Sequence, residues 1–141
     1  YITDSHCLDC FAGAGSLGFE ALSRGASTVT MIELDNNAAS QLKQNRTLLK
    51  ADNVDIIAGN TLDIIKKNQQ SFDVVFIDPP FRKELVPLTI GLLNSGRLNT
   101  GALIYIEMET ENSDILVPAN WQLLKEKTAG QVSYRLFQYQ Q

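Results

Sequence analysis

The strongest constraint on the fold is a regular alternation of strand-like and helix-like segments. The strand-like segments are short apolar runs, and they occupy residues 7–11, 28–32, 54–58, 72–77 and 102–107. The helix-like segments have helical periodicity and occupy residues 16–24, 36–50, 61–67 and 84–93. Strictly alternating strands and helices form parallel sheets that are covered by helices on both faces. The sequence therefore predicts an α/β fold with a mostly parallel sheet.

The second helix-like segment, residues 36–50, allows a more detailed prediction. Ala38, Leu42 and Leu49 are spaced so that they share one face, which we expect to be buried. Asn36 or Asn37 is placed to cap the first turn, because a short amide side chain accepts hydrogen bonds from free backbone N–H groups.

The last part of the chain departs from this alternation. Two runs of alternating apolar and polar residues flank Ala129-Gly130 within the segment WQLLKEKTAGQVSYRLFQY. Alternating runs on either side of a small-residue turn are typical of an antiparallel hairpin, which we expect to close the sheet. Since no linker interrupts the chain, we expect residues 1–141 to form one domain.

Composition narrows the kind of protein further. Of the 141 residues 44% are hydrophobic, which is enough for the core of one domain. No apolar stretch approaches the ~18 residues of a membrane span, and the first residues do not resemble a secretory signal. We expect a soluble, cytoplasmic monomer with no membrane partner. Because the chain opens with Tyr1 rather than methionine, we also expect it to be a fragment or a trimmed form.

The segment HCLDC invites a redox or metal interpretation. Cys7 and Cys10 are three residues apart, and in a strand an odd spacing directs two side chains to opposite faces. A disulfide cannot close in that geometry, and no second cysteine or histidine pair completes a zinc site. We expect two buried thiols beside a surface imidazole at His6, and we assign these residues no chemistry and no metal.

The loop after the first strand-like segment carries a ligand-binding pattern. Gly13, Gly15 and Gly18 follow the spacing G-x-G-x-x-G between a strand and a helix, where small residues allow a ligand to approach the backbone. Glu33 directly follows the second strand-like segment, where an acid can accept both hydroxyl groups of a ribose. Together these residues indicate a nucleoside ligand.

The charge of Asp9 discriminates between two candidate nucleoside ligands. It lies inside the first strand-like segment, so that its carboxylate faces the glycine loop. A carboxylate there repels the pyrophosphate of a dinucleotide but attracts the amino group of S-adenosylmethionine. Charge therefore favours S-adenosylmethionine over a nicotinamide cofactor.

The segment FDVVFIDPPF, residues 72–81, ends a buried strand with an acid, two prolines and an aromatic ring. Prolines lack N–H groups and fix φ, so that the chain leaves the sheet in a rigid turn with free carbonyl groups. The Asp78 carboxylate and the Pro79 carbonyl can accept both hydrogens of an exocyclic amino group. Phe81 offers a face on which a flipped-out base can stack, worth ~1–3 kcal/mol.

These motifs resemble a known family. The strings LDCFAGAGSLGFEALSRGA, IELD, DPPF, VPANW and AGQVSYRLF occur in this order over essentially the whole chain. They resemble the bacterial guanine-N2 methyltransferase of small-subunit (16S) ribosomal RNA, the RsmD type. The resemblance implies the class I S-adenosylmethionine-dependent methyltransferase fold, which is Rossmann-like, with a seven-stranded sheet whose last strand is antiparallel. Members carry an Arg- and Gly-rich segment before the first strand that this chain lacks, so we expect an N-terminally truncated form.

The resemblance also implies roles for individual residues. The residues implied to bind S-adenosylmethionine are Asp9, Phe11, Ala12, Gly13, Gly15, Glu33, Leu34, Asn60, Thr61 and Asp78. Among these, Asp9 and the glycine loop hold the methionine portion, whereas Glu33 binds the ribose. Leu34 packs on the adenine, and Asn60 and Thr61 border it. The residues implied to hold the target guanine and to catalyse transfer are Asp78, Pro79, Pro80 and Phe81.

The expected partner is ribosomal RNA, in the small subunit or its assembly intermediate. A net charge of −4 and a pI near 4.9 disfavour general binding of a polyanion. Arg82 and Lys83 directly follow the motif and, with Phe81, are the predicted RNA contacts. Further positive charge on the hairpin comes from Lys125, Lys127 and Arg135.

Direct transfer of the sulfonium methyl group to guanine N2 is the predicted reaction, with Asp78 as the orienting acceptor. Three alternatives stay open at this point. The amino group could belong to a DNA adenine or a protein glutamine, the cofactor could be a nicotinamide, or the domain could bind RNA without catalysis.

Overall fold

The computed structural model describes residues 2–79, 85–109 and 115–140, and these contain seven strands and four helices. The strands are β1 His6–Asp9, β2 Thr28–Glu33, β3 Val54–Ala58, β4 Phe72–Ile77, β5 Leu98–Glu109, β6 Trp121–Ala129 and β7 Val132–Tyr139. The helices are α1 Ser16–Ser23, α2 Asn36–Leu48, α3 Thr61–Lys67 and α4 Leu85–Leu93. No helix in these ranges is both long and apolar enough to cross a membrane.

All seven strands form one sheet in the order β3-β2-β1-β4-β5-β7-β6. Strands β1 to β5 pair in parallel, and β7 lies antiparallel between β5 and β6. The predicted α/β fold, with a mostly parallel sheet and a C-terminal antiparallel hairpin, is confirmed. Gly130 sits in the hairpin turn at φ 60°, a conformation that side chains with a Cβ adopt at a cost.

The two faces of the sheet have separate cores. On the face of α3 and α4, buried residues of the central strands include Leu8, Val75 and Ile104. On the face of α1 and α2, the corresponding residues include Val29 and Met31. Central strands are therefore apolar at nearly every position, because both of their faces are removed from water. Burying each large apolar side chain stabilises the fold by ~1.5–3 kcal/mol.

The two cysteines follow this division. Cys7 belongs to the core on the α1 and α2 face, whereas Cys10 belongs to the core on the opposite face. Both thiols are free and buried, and burial raises the pKa of each. The prediction of two buried thiols is confirmed. Within the described ranges no group of acids, histidines and cysteines is arranged to hold a metal ion.

The detailed prediction for α2 is wrong in two respects. The cap is Asp35, whose carboxylate accepts a 3.1 Å hydrogen bond from the N–H of Ala38, so that both predicted asparagine caps already lie inside the helix. The buried residues are Ala39 and Leu42, whereas Leu49 follows the helix and is 60% exposed. The helix begins where Asp35 supplies the free N–H groups of its first turn with an acceptor, and that start determines which side chains face the sheet.

Candidate active site and cofactor pocket

Four acidic side chains meet at the carboxyl edge of the sheet. In parallel pairing β1 lies between β2 and β4, and β4 lies beside β5. Asp9 and Glu33 end β1 and β2, Asp78 follows β4, and Glu107 lies two residues before the end of β5. Because the carboxyl ends of parallel strands face the same side, the topology collects these acids around one crevice, where open α/β sheets bind their ligands.

The loop after β1 needs its glycines for different reasons. Gly15 has φ 84°, and a Cβ there would lie 2.6 Å from Leu42 Cδ2 and 2.7 Å from the Phe19 ring. A Cβ on Gly18 would lie 2.5 Å from Met31 Cε, so that this glycine lets α1 pack against β2. Gly13 has φ 55°, but the position of its absent Cβ is open for at least 4 Å. The predicted glycine loop thus combines close packing at its base with free space at its tip.

Asp9 is buried with one oxygen unpaired. It is 1% exposed, and the nearby backbone N–H groups of Phe11 and Gly18 lower the pKa of its carboxyl group by less than burial raises it. Its Oδ1 has no hydrogen-bond partner within the described part of the chain. Burial first, and then the negative charges of Asp78 and Glu33, raise the pKa of Asp9 to about 7. A cation beside Oδ1 relieves this cost, so the residue fits the ammonium group of a methionine moiety.

Glu33 connects two loops at the edge. Its Oε1 accepts a 2.8 Å hydrogen bond from the N–H of Gly13, and its Oε2 accepts a 2.8 Å bond from the N–H of Asp35. An ionised carboxylate has about four acceptor positions, so two stay available for a diol. Glu33 therefore holds the glycine loop and the start of α2 in place while it keeps acceptors for a ribose.

The other predicted cofactor residues differ in accessibility. Leu34 is 67% exposed and leaves an apolar surface free beside Glu33. The side chain of Asn60 caps α3 by accepting from two backbone N–H groups. Thr61 is buried, and its Oγ1 donates a 2.5 Å hydrogen bond to the carbonyl of Cys10. These polar groups support the loops, and of the three residues Leu34 and Asn60 are exposed whereas Thr61 is buried.

Phe11 and Ala12 anchor the loop from inside. Phe11 is half-buried and packs against the core on the α3 and α4 face. Ala12 is buried, and its N–H donates a 2.9 Å hydrogen bond to the carbonyl of Ile32. The predicted cofactor roles of both residues stay predictions.

Only the first two residues of the proline motif, Asp78 and Pro79, lie within the described ranges. Asp78 and Pro79 follow β4 directly and are half-buried. The predicted site residues Pro80, Phe81, Arg82 and Lys83 lie outside the described residues. Burial first, and then the neighbouring Glu107, raise the pKa of Asp78 to about 6.

Glu107 is a site residue that the sequence reasoning did not identify. It lies near the end of β5 beside Asp78, and its charge contributes to the raised pKa of Asp78. The hydroxyl of Tyr105 donates a 3.1 Å hydrogen bond to Glu107 Oε1. An acid at the end of the strand next to the motif was visible in the sequence, but only the pairing of β4 with β5 gives it a partner.

A groove of about 380 Å³ opens on the strands of the hairpin. We call it the hairpin groove and define it by Tyr105, Lys125, Lys127, Tyr134 and Leu136. The Tyr105 and Tyr134 rings lie with their centroids 6.2 Å apart, and the two lysines stand beside them on β6. Aromatic rings flanked by cations are typical of surfaces that bind nucleic acids.

The cations of the hairpin differ in whether an acid neutralises their charge. Arg135 lies directly opposite Glu126 in the antiparallel pair, and its Nε is 2.6 Å from Glu126 Oε2. This ion pair neutralises much of the positive charge that the sequence assigned to Arg135. Lys125 and Lys127 carry the charge of the hairpin groove.

The mostly parallel seven-stranded sheet, the glycine loop after β1 and the acids after β1, β2 and β4 define a class I S-adenosylmethionine-dependent methyltransferase. Residues 1–138 match the family described as conserved hypothetical protein 95. The chain is also 49% identical over 138 residues to ribosomal RNA small subunit methyltransferase D of Escherichia coli K12, covering 97% of this chain and 70% of that protein. This chain belongs to the ribosomal RNA small subunit methyltransferase D family.

Two further comparisons agree with this family. Ribosomal RNA small subunit methyltransferase D of Haemophilus influenzae is 52% identical over 143 residues, covering 98% of this chain and 74% of that protein. A solved methyltransferase structure from Escherichia coli has a TM-score of 0.96 and 48% identity, covering 99% of this chain and 80% of that chain. The predicted family and fold are confirmed, and S-adenosylmethionine is the cofactor of this class.

Proposed function

We propose that this chain transfers a methyl group from S-adenosylmethionine to the exocyclic N2 amino group of a guanine in small-subunit (16S) ribosomal RNA. The names of its relatives support ribosomal RNA as the substrate. The position of Asp78 and Pro79 at the end of β4, beside the loop after β1, carries the proposal. Hydrogen-bond acceptors at this position suit an amino group that must be held close to the cofactor.

The residues of the site act mainly by holding the amino group. Asp78 accepts one N2 hydrogen and the carbonyl of Pro79 accepts the other, which directs the nitrogen lone pair away from the base ring. When bound, S-adenosylmethionine supplies a methyl group whose bonding electron pair returns to sulfur as the N2 lone pair forms the new N–C bond. Asp78 takes the proton that N2 then releases. Proximity and alignment supply most of the acceleration, and they can contribute ~7–11 kcal/mol.

The RNA is held on both sides of the target base. Phe81 stacks on the flipped-out guanine, and Arg82 and Lys83 contact the flanking phosphates. Lys125 and Lys127 in the hairpin groove support a second contact with the phosphate backbone. Replacing Arg82 with alanine is expected to weaken RNA use and to leave the cofactor dissociation constant unchanged.

We also propose the oligomeric state, the location and the natural substrate of the enzyme. One methyltransferase domain over residues 1–141 acts as a monomer in the cytoplasm. Its substrate is ribosomal RNA within the small ribosomal subunit or its assembly intermediate.

The test is transfer of labelled methyl from S-adenosylmethionine to small ribosomal subunits that lack the modification, followed by digestion of the RNA to nucleosides. The expected product is labelled N2-methylguanosine, and Asp78→Ala should abolish it while cofactor binding is retained. Near-normal turnover of Asp78→Ala would overturn the role of the motif.

Other outcomes assign the alternative functions. Label in a DNA adenine or a protein glutamine would place the chain among the other amino-group methyltransferases. Binding of a nicotinamide cofactor in place of S-adenosylmethionine would indicate an oxidoreductase. RNA binding with cofactor bound and no label in any product would indicate a non-catalytic module.

A further inference from the structure

Two acids lie beside each other where β4 and β5 reach the carboxyl edge of the sheet. The two strands run parallel, and Ile77 pairs with Ile106 in their register. Asp78 and Glu107 come one position further along the chain, and neighbouring strands of a sheet are about 4.8 Å apart. Both acids are half-buried. The strand register therefore brings two carboxyl groups together in the candidate active site.

The aromatic rings that precede the two acids show which face of the sheet the acids occupy. Phe76 and Tyr105 each lie two residues before one of the acids, and their ring centroids are 6.2 Å apart in an edge-to-face arrangement. Residues two positions apart in an extended chain point to the same face, so Asp78 and Glu107 project on the face of these rings. The charge of Glu107 also contributes, after burial, to the raised pKa of Asp78, as expected of neighbours.

Tyr105 orients the Glu107 carboxylate. Its hydroxyl donates a 3.1 Å hydrogen bond to Glu107 Oε1. The Tyr105 ring lies between Phe76 and Tyr134, with its centroid 6.2 Å from each, so that the donor itself is held by packing. An ionised carboxylate has about four acceptor positions, and one bond from a hydroxyl leaves others for a second donor. Glu107 is thus an oriented acceptor next to the residue that begins the proline motif.

The two neighbouring carboxylates suit a ligand with two adjacent N–H donors. Like charges that are partly removed from water are costly unless donors reach them. Among the bases of RNA, guanine alone presents adjacent donors on its Watson–Crick edge, the N1–H and the N2 amino group. Adenine and cytosine place a ring-nitrogen lone pair beside their amino group, and uracil has one N–H between two carbonyl groups. Enzymes that flip out a base read this edge through hydrogen bonds.

We propose that Glu107 is a specificity-determining residue, which accepts the N1–H of the target guanine while Asp78 accepts a hydrogen of its N2 amino group. This inference rests on the proposed function. Adenine would turn its N1 lone pair towards the Glu107 carboxylate, so that repulsion and a missing hydrogen bond would both act against it. The residue therefore selects guanine over the other amino-bearing purine.

The experiment replaces the target guanine with 2-aminopurine, which keeps the 2-amino group but has a lone pair in place of the N1–H. The methylated position is first located in small subunits treated with the parent protein. Subunits are then assembled with 16S ribosomal RNA that carries guanine or 2-aminopurine at that position. The parent protein should prefer guanine by ~10- to 100-fold in kcat/KM, the effect of losing a hydrogen bond to a charged group.

Glu107→Gln should reduce this preference at least ~10-fold. The hydroxyl of Tyr105 can still donate to the amide oxygen of the new side chain, which directs the amide N–H groups towards the base. An N–H donor there suits the N1 lone pair of 2-aminopurine and opposes the N1–H of guanine. Because both proteins act on the same two substrates, any difference in the intrinsic reactivity of the two bases cancels from the comparison.

Two further variants complete the comparison. Tyr105→Phe removes the donor that orients Glu107 and should reduce the preference for guanine by roughly threefold. Glu109→Gln is the matched control, since it removes an exposed acid at the end of the same strand and should leave the preference unchanged. The dissociation constant for S-adenosylmethionine should stay within about twofold in all variants. A merely structural role of Glu107 would lower kcat/KM for both substrates equally and leave their ratio unchanged.

The outcomes separate this inference from the proposed function. If the parent protein forms N2-methylguanosine but Glu107→Gln keeps the parent ratio, the role of Glu107 is wrong and the proposed function stands. If the parent protein forms no N2-methylguanosine, the proposed function fails and this inference fails with it. Should Glu107→Gln not fold, Tyr105→Phe decides the question, and an unchanged ratio in that variant would overturn the inference.

Discussion

The N–H of Gly13 donates a 2.8 Å hydrogen bond to Glu33 Oε1, which connects the glycine loop after β1 to the end of β2. The other oxygen of Glu33 accepts from Asp35 at the start of α2. One carboxylate thus connects two loops that border the proposed cofactor pocket. Loss of the Glu33 carboxylate would therefore free both loops at once.

We therefore expect Glu33→Ala to weaken S-adenosylmethionine binding by ~10- to 100-fold, because it removes the ribose acceptors and releases both N–H groups. Isothermal titration calorimetry measures the change. Glu20→Ala is the control, since it removes an exposed acid of α1 that pairs with surface Arg24. Equal affinity in Glu33→Ala and the parent would contradict the role of Glu33.

Gly15→Ala should destabilise the protein by ~1–3 kcal/mol. The residue has φ 84°, and a Cβ would lie 2.6 Å from Leu42, a residue of the core. Urea unfolding measures the free energy. The matched control is Gly91→Ala in α4, where no atom lies within 4 Å of the new Cβ, and it should be neutral or stabilising by ~0.5–1 kcal/mol. A Gly15→Ala variant as stable as the control would show that the loop accommodates the methyl group.

Asp9 should make stability depend on pH. Its pKa is about 7 in the folded protein and 3.8 ordinarily, so between these values the folded state binds more protons than the unfolded state. The contribution of Asp9 is therefore fully present below pH ~4 and is lost as the pH rises through about 7, by up to ~4 kcal/mol. Relative to the parent, Asp9→Asn should become more stable as the pH rises from 5 to 8.

Urea unfolding at several pH values checks this expectation. The exposed Asp55 on β3 provides the control variant Asp55→Asn, which should not change the pH dependence. In the same Asp9→Asn protein, S-adenosylmethionine should bind at least ~10-fold more weakly, since the charge that attracts its ammonium group is gone. A stability difference that does not vary with pH would show that Asp9 is not held protonated by the fold.

The hairpin groove should contribute to RNA affinity through charge. Removing both Lys125 and Lys127 by alanine substitution is expected to weaken RNA binding and to reduce the slope of log K against log salt by about 1–2. Lys66→Ala/Lys67→Ala is a control with the same change in net charge, in the last turn of α3. Filter binding at several salt concentrations measures both the RNA affinity and the slope for each double variant. Equal slopes in the two double variants would show that the groove does not contact phosphates.

Local patterns in the sequence determined the strands and helices of the sheet. The alternation of apolar runs and helical segments predicted the parallel sheet, because a strand buried on both faces must be apolar at nearly every position. The positive φ of Gly13 and Gly15 and the acid at the end of β1 could be anticipated from one short segment, because the geometry of a loop and the charge beside it are encoded nearby. The hairpin about Gly130 was predicted for the same reason.

Tertiary structure decided which side chains became partners. Asp78 follows β4 and Glu107 lies in β5, and the sequence contains no local signal for the register that brings these two strands together. Likewise Glu126 neutralises Arg135 because β6 and β7 place them opposite each other. Periodicity and turn chemistry act over a few residues and can be read directly, whereas hydrogen bonds between distant acids, amides and hydroxyls depend on non-local strand order, register and burial.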